Sequence, residues 1–184
     1  MNERSPAAVS TRERTEREDL AATIDRLYRR HNRAVFRLAL RYGLGDEAWA
    51  EDVTQDVFMT LLDRLPDLAD HEQLDGWLYR VTSNRCLRRL ERDRFRRHPL
   101  MRLLLVGAAQ QEPSLEGRVF ARQDLERARV ALGQLPARER VVLGMVHLDG
   151  KSQREVAEIL GLSKGYVSKL LARATARLEE ELRD

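Results

Sequence analysis

The stretch that decides the fold is residues 153–174, QREVAEILGLSKGYVSKLLARA. Ser152 and Glu155, at its start, have the spacing of a capping box, which marks the beginning of a helix. Gly161 stands where a left-handed residue ends a helix without steric cost, and Ser163 can cap the helix that follows. Two short helices joined by a tight turn form a helix-turn-helix, a motif whose second helix enters the major groove of DNA.

Apolar residues recur at helical spacing through this stretch and beyond it. The small Ala157 lies where the two helices should cross. The pattern predicts an inward face of Val167, Leu170 or Leu171, Ala174, Leu178 and Leu182. It leaves outside Lys164, Tyr166, Ser168, Lys169 and Arg173. An ordinary helical hairpin without DNA is the alternative, and the coincidence of turn, small residue and basic face favours DNA binding.

The composition of the 184 residues favours helices, since Leu, Ala, Arg and Glu dominate and aromatic residues are only 5%. The net charge is only +3, but it is unevenly distributed. Residues 46–75 hold ten carboxylates and one arginine, whereas residues 76–98 hold eight arginines and two acids. Such a reversal indicates two faces with different partners, one of them a polyanion.

The same composition argues against several other classes of protein. Cys86 is the only cysteine and the four histidines lie far apart, so we expect neither a disulfide framework nor a metal site. No cofactor motif, nucleophile–base pair or paired catalytic carboxylates emerge, which predicts a protein that is not an enzyme. No signal peptide is evident, and the longest apolar patch, at 103–106, is far too short for a membrane span. A cytoplasmic location is expected.

Breaks in the pattern divide the chain. We predict an all-α fold of two small helical domains joined by a flexible connector: a disordered tail at 1–18, an N-terminal bundle at 19–98, a connector at 99–122 and a C-terminal domain at 123–184. Thr15 and Glu18 form a second capping box, Asp46 caps a helix that runs to about Leu65, and a third helix spans about 73–96. Pro136 can occupy the first position of a helix.

The connector contains an apolar patch at 100–106. A contiguous apolar patch in a linker is expected to be buried against another surface. Packing between the two domains would provide one, and burial against a partner protein would provide another.

Three segments in order resemble a bacterial RNA polymerase sigma factor of the extracytoplasmic-function (ECF) group. The first, EDVTQDVFMTLL at 51–62, resembles the part that docks on core polymerase. LDGWLYRVTSNRCLRRL at 74–90 resembles the part that melts and reads the promoter −10 element. The region from Leu132 to Leu178 resembles the −35-reading domain. The connector is too short for the extra middle domain of housekeeping sigma factors, which points to the ECF group.

The resemblance assigns polymerase docking to Asp52, Gln55 and Asp56. The two carboxylates are one helical turn apart with Gln55 beside them, a compact anionic patch suited to a basic partner. Solvated surface charge is the other interpretation of the same residues.

For the −10 element, the resemblance places Asn84 where the family grips a flipped base, and an amide can both donate to and accept from a base edge. Arginines around it can hold phosphates, and the set is Arg80, Arg85, Arg88, Arg89 and Arg92. A plain surface role for Asn84 is the alternative. We expect Trp77 to belong to the core, because it continues the apolar face of Leu74 and Leu78.

In the recognition helix the chain departs from the family's common run. The residues that match the base-facing positions are Ser168, Lys169, Ala172 and Arg173. Ala172 can offer only an apolar contact, for example to a thymine methyl, so we expect an unusual −35 preference. Tyr166 either bonds a phosphate or packs.

The resemblance implies core RNA polymerase and promoter DNA as partners, together with an anti-sigma protein. Two rivals are a stand-alone helix-turn-helix regulator and a helical adaptor that binds only proteins.

Overall fold

The computed structural model describes residues 6–64, 74–96 and 119–183, and side chains within 22–64, 74–93 and 127–183. These residues form seven helices and no strand, which confirms the all-α prediction. The helices are α1 (Pro6–Tyr42), α2 (Glu47–Arg64), α3 (Leu74–Arg96), α4 (Val119–Gln134), α5 (Ala137–His147), α6 (Gln153–Leu160) and α7 (Lys164–Glu181). The predicted apolar patch at 100–106 lies outside the described residues.

The first three helices pack as a bundle. The Asp46 carboxylate accepts a hydrogen bond from the Trp49 backbone N–H at 2.9 Å, so Asp46 caps α2 as predicted. The core contains Val53, Val57 and Leu61 from α2, with Leu74, Leu78 and Cys86 from α3. Trp77 is partly buried and packs against this core, as expected.

The N-terminal end differs from the prediction. We expected disorder over 1–18 and a helix beginning after Thr15, but α1 already begins at Pro6. Proline suits the first position of a helix because its missing N–H has no partner there. Alanine, arginine and glutamate then follow, and all three favour the helix.

Among the last four helices, α6 and α7 pack on α5, whose Val141, Val142 and Met145 are completely buried. α4 begins at Val119, four residues before the predicted domain boundary at 123. Pro136 precedes α5 as its N-cap instead of occupying its first position. Of the two leucines left open by the sequence, Leu170 is buried and Leu171 only partly so.

One inward prediction was wrong. Leu182 is 46% exposed, because it is the C-cap residue after Glu181 and no longer belongs to the helical face of α7 that packs inward.

The two groups of helices share one continuous hydrophobic cluster. The Tyr42 ring of α1 lies against Gly144 of α5, where a Cβ atom would come within 2.9 Å of the ring. Glycine therefore permits this close approach. Within the described residues, no helix has the length and apolar character to cross a bilayer.

Replacing Gly161 with alanine tests the turn of the helix-turn-helix. Gly161 has φ +66°, a left-handed conformation that costs an L-residue about 1–2 kcal/mol. We expect Gly161→Ala to lower the melting temperature by several degrees in scanning calorimetry.

Gly165→Ala is the matched control, because Gly165 lies within α7 and an added Cβ there meets nothing within 4 Å. It should leave the melting temperature unchanged or raise it. Equal losses in both variants would contradict the proposed role of the turn.

Candidate nucleic-acid interface

The helix-turn-helix is built by local interactions that the sequence predicted. The Ser152 hydroxyl accepts from the Glu155 N–H at 3.2 Å, and the Glu155 carboxylate accepts from the Ser152 N–H at 2.8 Å. The hydrogen bond that the carboxylate accepts from the Ser152 N–H holds the pKa of Glu155 below its usual value. Gly161 ends α6, and the Ser163 hydroxyl accepts from the Tyr166 N–H at 3.2 Å to begin α7. The capping box at the start of α6, the left-handed turn at Gly161 and the Ser163 cap are therefore all confirmed.

α7 buries Val167, Leu170 and Ala174 against the domain core. Its opposite face carries the six residues predicted to meet −35 DNA, and all of them are exposed. They are Lys164, Tyr166, Ser168, Lys169, Ala172 and Arg173. None of the three cations in this set has an ion-pair partner among the side chains that the structure describes. The face can therefore offer three unneutralised charges and short polar side chains to a polyanion.

The basic helix α3 presents its predicted residues on two different sides. Arg80, Asn84, Arg88 and Arg92 follow one another at intervals of four, so they share one face. Arg80, Arg88 and Arg92 are exposed, and no ion pair engages them within the described residues. These three arginines are available to phosphates.

The other two arginines of the predicted set turn towards α2. Arg85 donates to the Thr60 hydroxyl at 2.9 Å. Arg89 forms an ion pair with Asp52 and lies 5.9 Å from the centre of the Trp49 ring. Both charges help to join α3 to α2, and Arg89 is only partly accessible.

Asn84 has two partners. Its side-chain amide donates to the Arg80 carbonyl in the previous turn at 2.9 Å, and to the Ile159 carbonyl of α6 at 3.0 Å. The second bond crosses between the N-terminal bundle and the helix-turn-helix. Asn84 is therefore engaged by the chain itself, which the sequence pattern did not reveal.

The three α2 residues predicted to dock polymerase have different surroundings. Gln55 is exposed and Asp56 is half-buried, but Asp52 is paired with Arg89. Between α1 and α2, next to Gln55, lies an open groove of about 760 Å³. Its walls include Tyr28 and Met59, which are 45% and 56% exposed. Sequence reasoning missed this groove, although an apolar Met59 beside the acidic face was a signal for it.

The remaining reactive groups do not form a further site. Cys86 is buried, and burial raises the pKa of its thiol to about 12. No group of three or more potential metal ligands comes together within the part of the chain that the structure describes.

Comparisons with known families match both halves of the chain. The sigma-70 region 2 family matches residues 27–96, and the sigma-70 region 4 family matches residues 131–180. These ranges contain the basic helix α3 and the helix-turn-helix respectively.

Individual relatives agree. The RNA polymerase sigma factor CnrH of Cupriavidus metallidurans is 34% identical over 158 residues, covering 83% of this chain and 82% of the relative. The ECF RNA polymerase sigma factor SigM of Mycobacterium tuberculosis is 31% identical over 174 residues, covering 90% and 84%.

Solved structures share the fold. CnrH in complex with the cytosolic domain of CnrY has a TM-score of 0.56 and 28% identity, covering 89% of each chain. The sigma factor RpoE in complex with the anti-sigma factor NepR, from Bartonella quintana, has a TM-score of 0.60 and 23% identity, covering 86% and 96%. Two sigma-70 regions in the family order, and relatives matched over more than four fifths of their length, establish that this chain belongs to the sigma-70 family as an ECF sigma factor.

Proposed function

We propose that this sigma factor uses three surfaces to direct core RNA polymerase to its promoters: α2 for docking, α3 for the −10 element and α7 for the −35 element. The observation that carries the proposal is the presence of two exposed basic faces on one chain, on α3 and α7, beside an acidic face on α2. A stand-alone regulator needs only the face on α7.

For the −35 element, Lys169 and Arg173 offer cations to base edges or phosphates. The Ser168 hydroxyl can donate to or accept from a base edge. Ala172 is exposed between them and can contact only an apolar group such as a thymine methyl. Lys164 and Tyr166 lie in the first turn of α7, where side chains and free backbone N–H groups favour a phosphate. These residues are proposed to set the promoter choice of this chain.

For the −10 element, Arg80, Arg88 and Arg92 supply phosphate contacts that tolerate any sequence. Asn84 reads an unstacked base from the middle of that face. Arg85 and Arg89 hold α3 on α2 and contribute charge to the same field.

For docking, Gln55 and Asp56 face a basic partner helix, and the groove beside them accepts apolar side chains. Asp52 takes part through its ion pair with Arg89, so a cation of the partner competes with Arg89 for that carboxylate.

The chain is proposed to act without catalysing a covalent reaction, because its sites bind and position nucleic acid for the polymerase. We place it in the cytoplasm, where polymerase and chromosomal DNA are found in bacteria. An anti-sigma protein is a further proposed partner, supported by the exposed apolar walls of the α1–α2 groove and by the neighbour solved with the anti-sigma factor NepR.

Run-off transcription with core polymerase and a pool of genomic promoter fragments tests the function as a whole. We expect specific transcripts only when this chain is present. In gel shifts, the free chain should bind the same fragments far more weakly than the holoenzyme does. Tight binding without polymerase would favour the stand-alone regulator, and the lack of a specific transcript from any fragment would defeat the proposal.

Reversing the charge of Asp56 tests docking more cleanly than changing Asp52, which is tied to Arg89. A like charge at a complementary interface costs several kcal/mol. Asp56→Lys should therefore weaken binding to core polymerase at least about tenfold in a pull-down titration.

Glu47→Lys is the matched control. Glu47 is exposed on the same helix, and nine residues of separation place it on the opposite side from Asp56. It should retain normal affinity, and equal losses in the two variants would argue against a docking surface at Asp56.

Substitutions of Asn84 and of Arg88 should impair promoter binding in different ways. Arg88→Gln removes a phosphate contact, so it should weaken holoenzyme binding at every promoter and reduce the salt slope by about 0.7–0.9. Asn84→Ala removes a base contact, so it should alter discrimination among −10 variants by about 1–3 kcal/mol and leave the salt slope unchanged. Fluorescence anisotropy at several salt concentrations measures both.

Arg183→Gln is the charge-matched control, because Arg183 lies in the turn that follows α7, far along the chain from α3. If Asn84→Ala weakened all −10 variants equally, the base-reading role would be lost.

A further inference from the structure

Four polar side chains meet where the two halves of the protein join. Asp149, in the loop between α5 and α6, accepts hydrogen bonds from the Tyr42 hydroxyl at 3.0 Å and from the Tyr79 hydroxyl at 2.7 Å. Its other carboxylate oxygen forms an ion pair with Arg41. Arg41 and Tyr42 belong to α1 and Tyr79 to α3, so two helices of the N-terminal bundle converge on one carboxylate of the C-terminal domain. We refer to these four residues as the Asp149 cluster.

The Asp149 cluster is buried, so its hydrogen bonds affect the stability of the contact between the two domains. The Asp149 side chain is 8% exposed and the Tyr42 residue 2% exposed. A carboxylate out of water needs hydrogen-bond partners, because an unpaired one is strongly destabilising. Burial raises the pKa of Tyr42 and of Tyr79, so both hydroxyls stay protonated and remain donors. Separation of the two domains would return Asp149 to water and leave the two tyrosines without this acceptor.

Neighbouring contacts support the same arrangement. Gly144 lets the Tyr42 ring pack directly on α5, and the Lys151 ammonium lies 5.2 Å from the centre of the Tyr79 ring. Arg138 of α5 pairs with Glu91 of α3 at 2.7 Å, but both side chains are over a third exposed, so this pair adds little. The Asp149 cluster and the ring of Tyr42 are therefore the specific centre of the interface.

This arrangement affects the two DNA faces differently. The Asn84 amide is bonded to the Ile159 carbonyl across the interface, and it cannot offer that N–H to a base at the same time. The base-facing residues of α7 remain exposed. The closed protein therefore presents its helix-turn-helix and covers the residue at the centre of the α3 face.

We propose that the Asp149 cluster is an intramolecular latch that holds the two domains together and keeps Asn84 from single-stranded DNA until the domains separate. The covering of Asn84 rests on the proposed function, since it concerns the same −10 surface. The closure itself rests on the contacts alone. The apparent affinity of a covered site falls in proportion to the open fraction, so releasing the latch raises it.

The closure is measured without DNA by chemical crosslinking. The full chain carries Glu91→Cys and Arg138→Cys, whose native side chains touch in the closed form and are accessible to a short bismaleimide. Cys86 does not interfere, because its buried thiol stays protonated. We expect efficient intramolecular crosslinking in this background and a clear fall when Asp149→Asn is added. Asp25→Asn is the matched control, since Asp25 is an exposed carboxylate paired with Arg29 in α1.

The covering of Asn84 is tested by measuring the affinity of the free chain for a fluorescent pool of single-stranded DNA of random sequence. Asp149→Asn should bind it about tenfold more tightly than Asp25→Asn, which corresponds to about 1.4 kcal/mol. The control matters because both substitutions remove one negative charge. Tyr42→Phe combined with Tyr79→Phe keeps both rings and should shift both measurements in the same direction, with circular dichroism to verify folding.

The outcomes separate the two parts of the proposal. Unchanged crosslinking in both Asp149→Asn and the double phenylalanine variant overturns the latch. Reduced crosslinking without a gain in DNA affinity supports the latch but overturns the covering of Asn84, whereas the −10 role is decided separately by the holoenzyme measurements on Asn84→Ala and Arg88→Gln. Reduced crosslinking together with tighter DNA binding supports both.

Discussion

A carboxylate buried between two helical bundles is the constraint on which the arrangement of this protein depends. Asp149 can leave water only while Tyr42, Tyr79 and Arg41 surround it. Those partners come from α1 and α3, so in the closed protein the loop that precedes the helix-turn-helix has one position relative to the N-terminal bundle. Apolar packing along the shared core is less directional and could not specify that position alone.

Polar contacts also join α2 to α3 within the N-terminal bundle. Arg89 of α3 is paired with Asp52 of α2, and Arg85 of α3 is bonded to Thr60 of α2. Residues assigned to polymerase docking and to DNA binding are therefore each other's partners. If α2 docks polymerase and α3 binds DNA as proposed, a cation that bound Asp52 would free Arg89 for phosphate, and binding at one surface would be thermodynamically linked to binding at the other.

Local sequence patterns predicted what local chemistry determines. The capping box at Ser152, the left-handed Gly161 and the cap at Asp46 each need only residues a few positions apart, and each is confirmed. The exposure of the α7 face followed from the same helical period.

Long-range pairing was beyond that reasoning. No local pattern linked Asp149 to Tyr42 and Tyr79, because these partners are 107 and 70 residues away in the chain. The bond from Asn84 to Ile159 ends on a backbone carbonyl, which carries no signature in the sequence. The start of α1 and the exposure of Leu182 were missed for another reason. Helix propensity and apolar periodicity locate a helix but do not fix its first and last residues.

The buried sulfur of the N-terminal bundle limits how this protein can respond to its surroundings. Cys86 is the one cysteine in the chain, it is fully enclosed, and its thiol has a pKa of about 12. Oxidants and electrophiles react with accessible thiolate, and the folded chain offers none. Thiol oxidation and disulfide exchange therefore have no accessible target in the folded chain, so a thiol-based redox signal would have to be sensed by another molecule and passed on by contact.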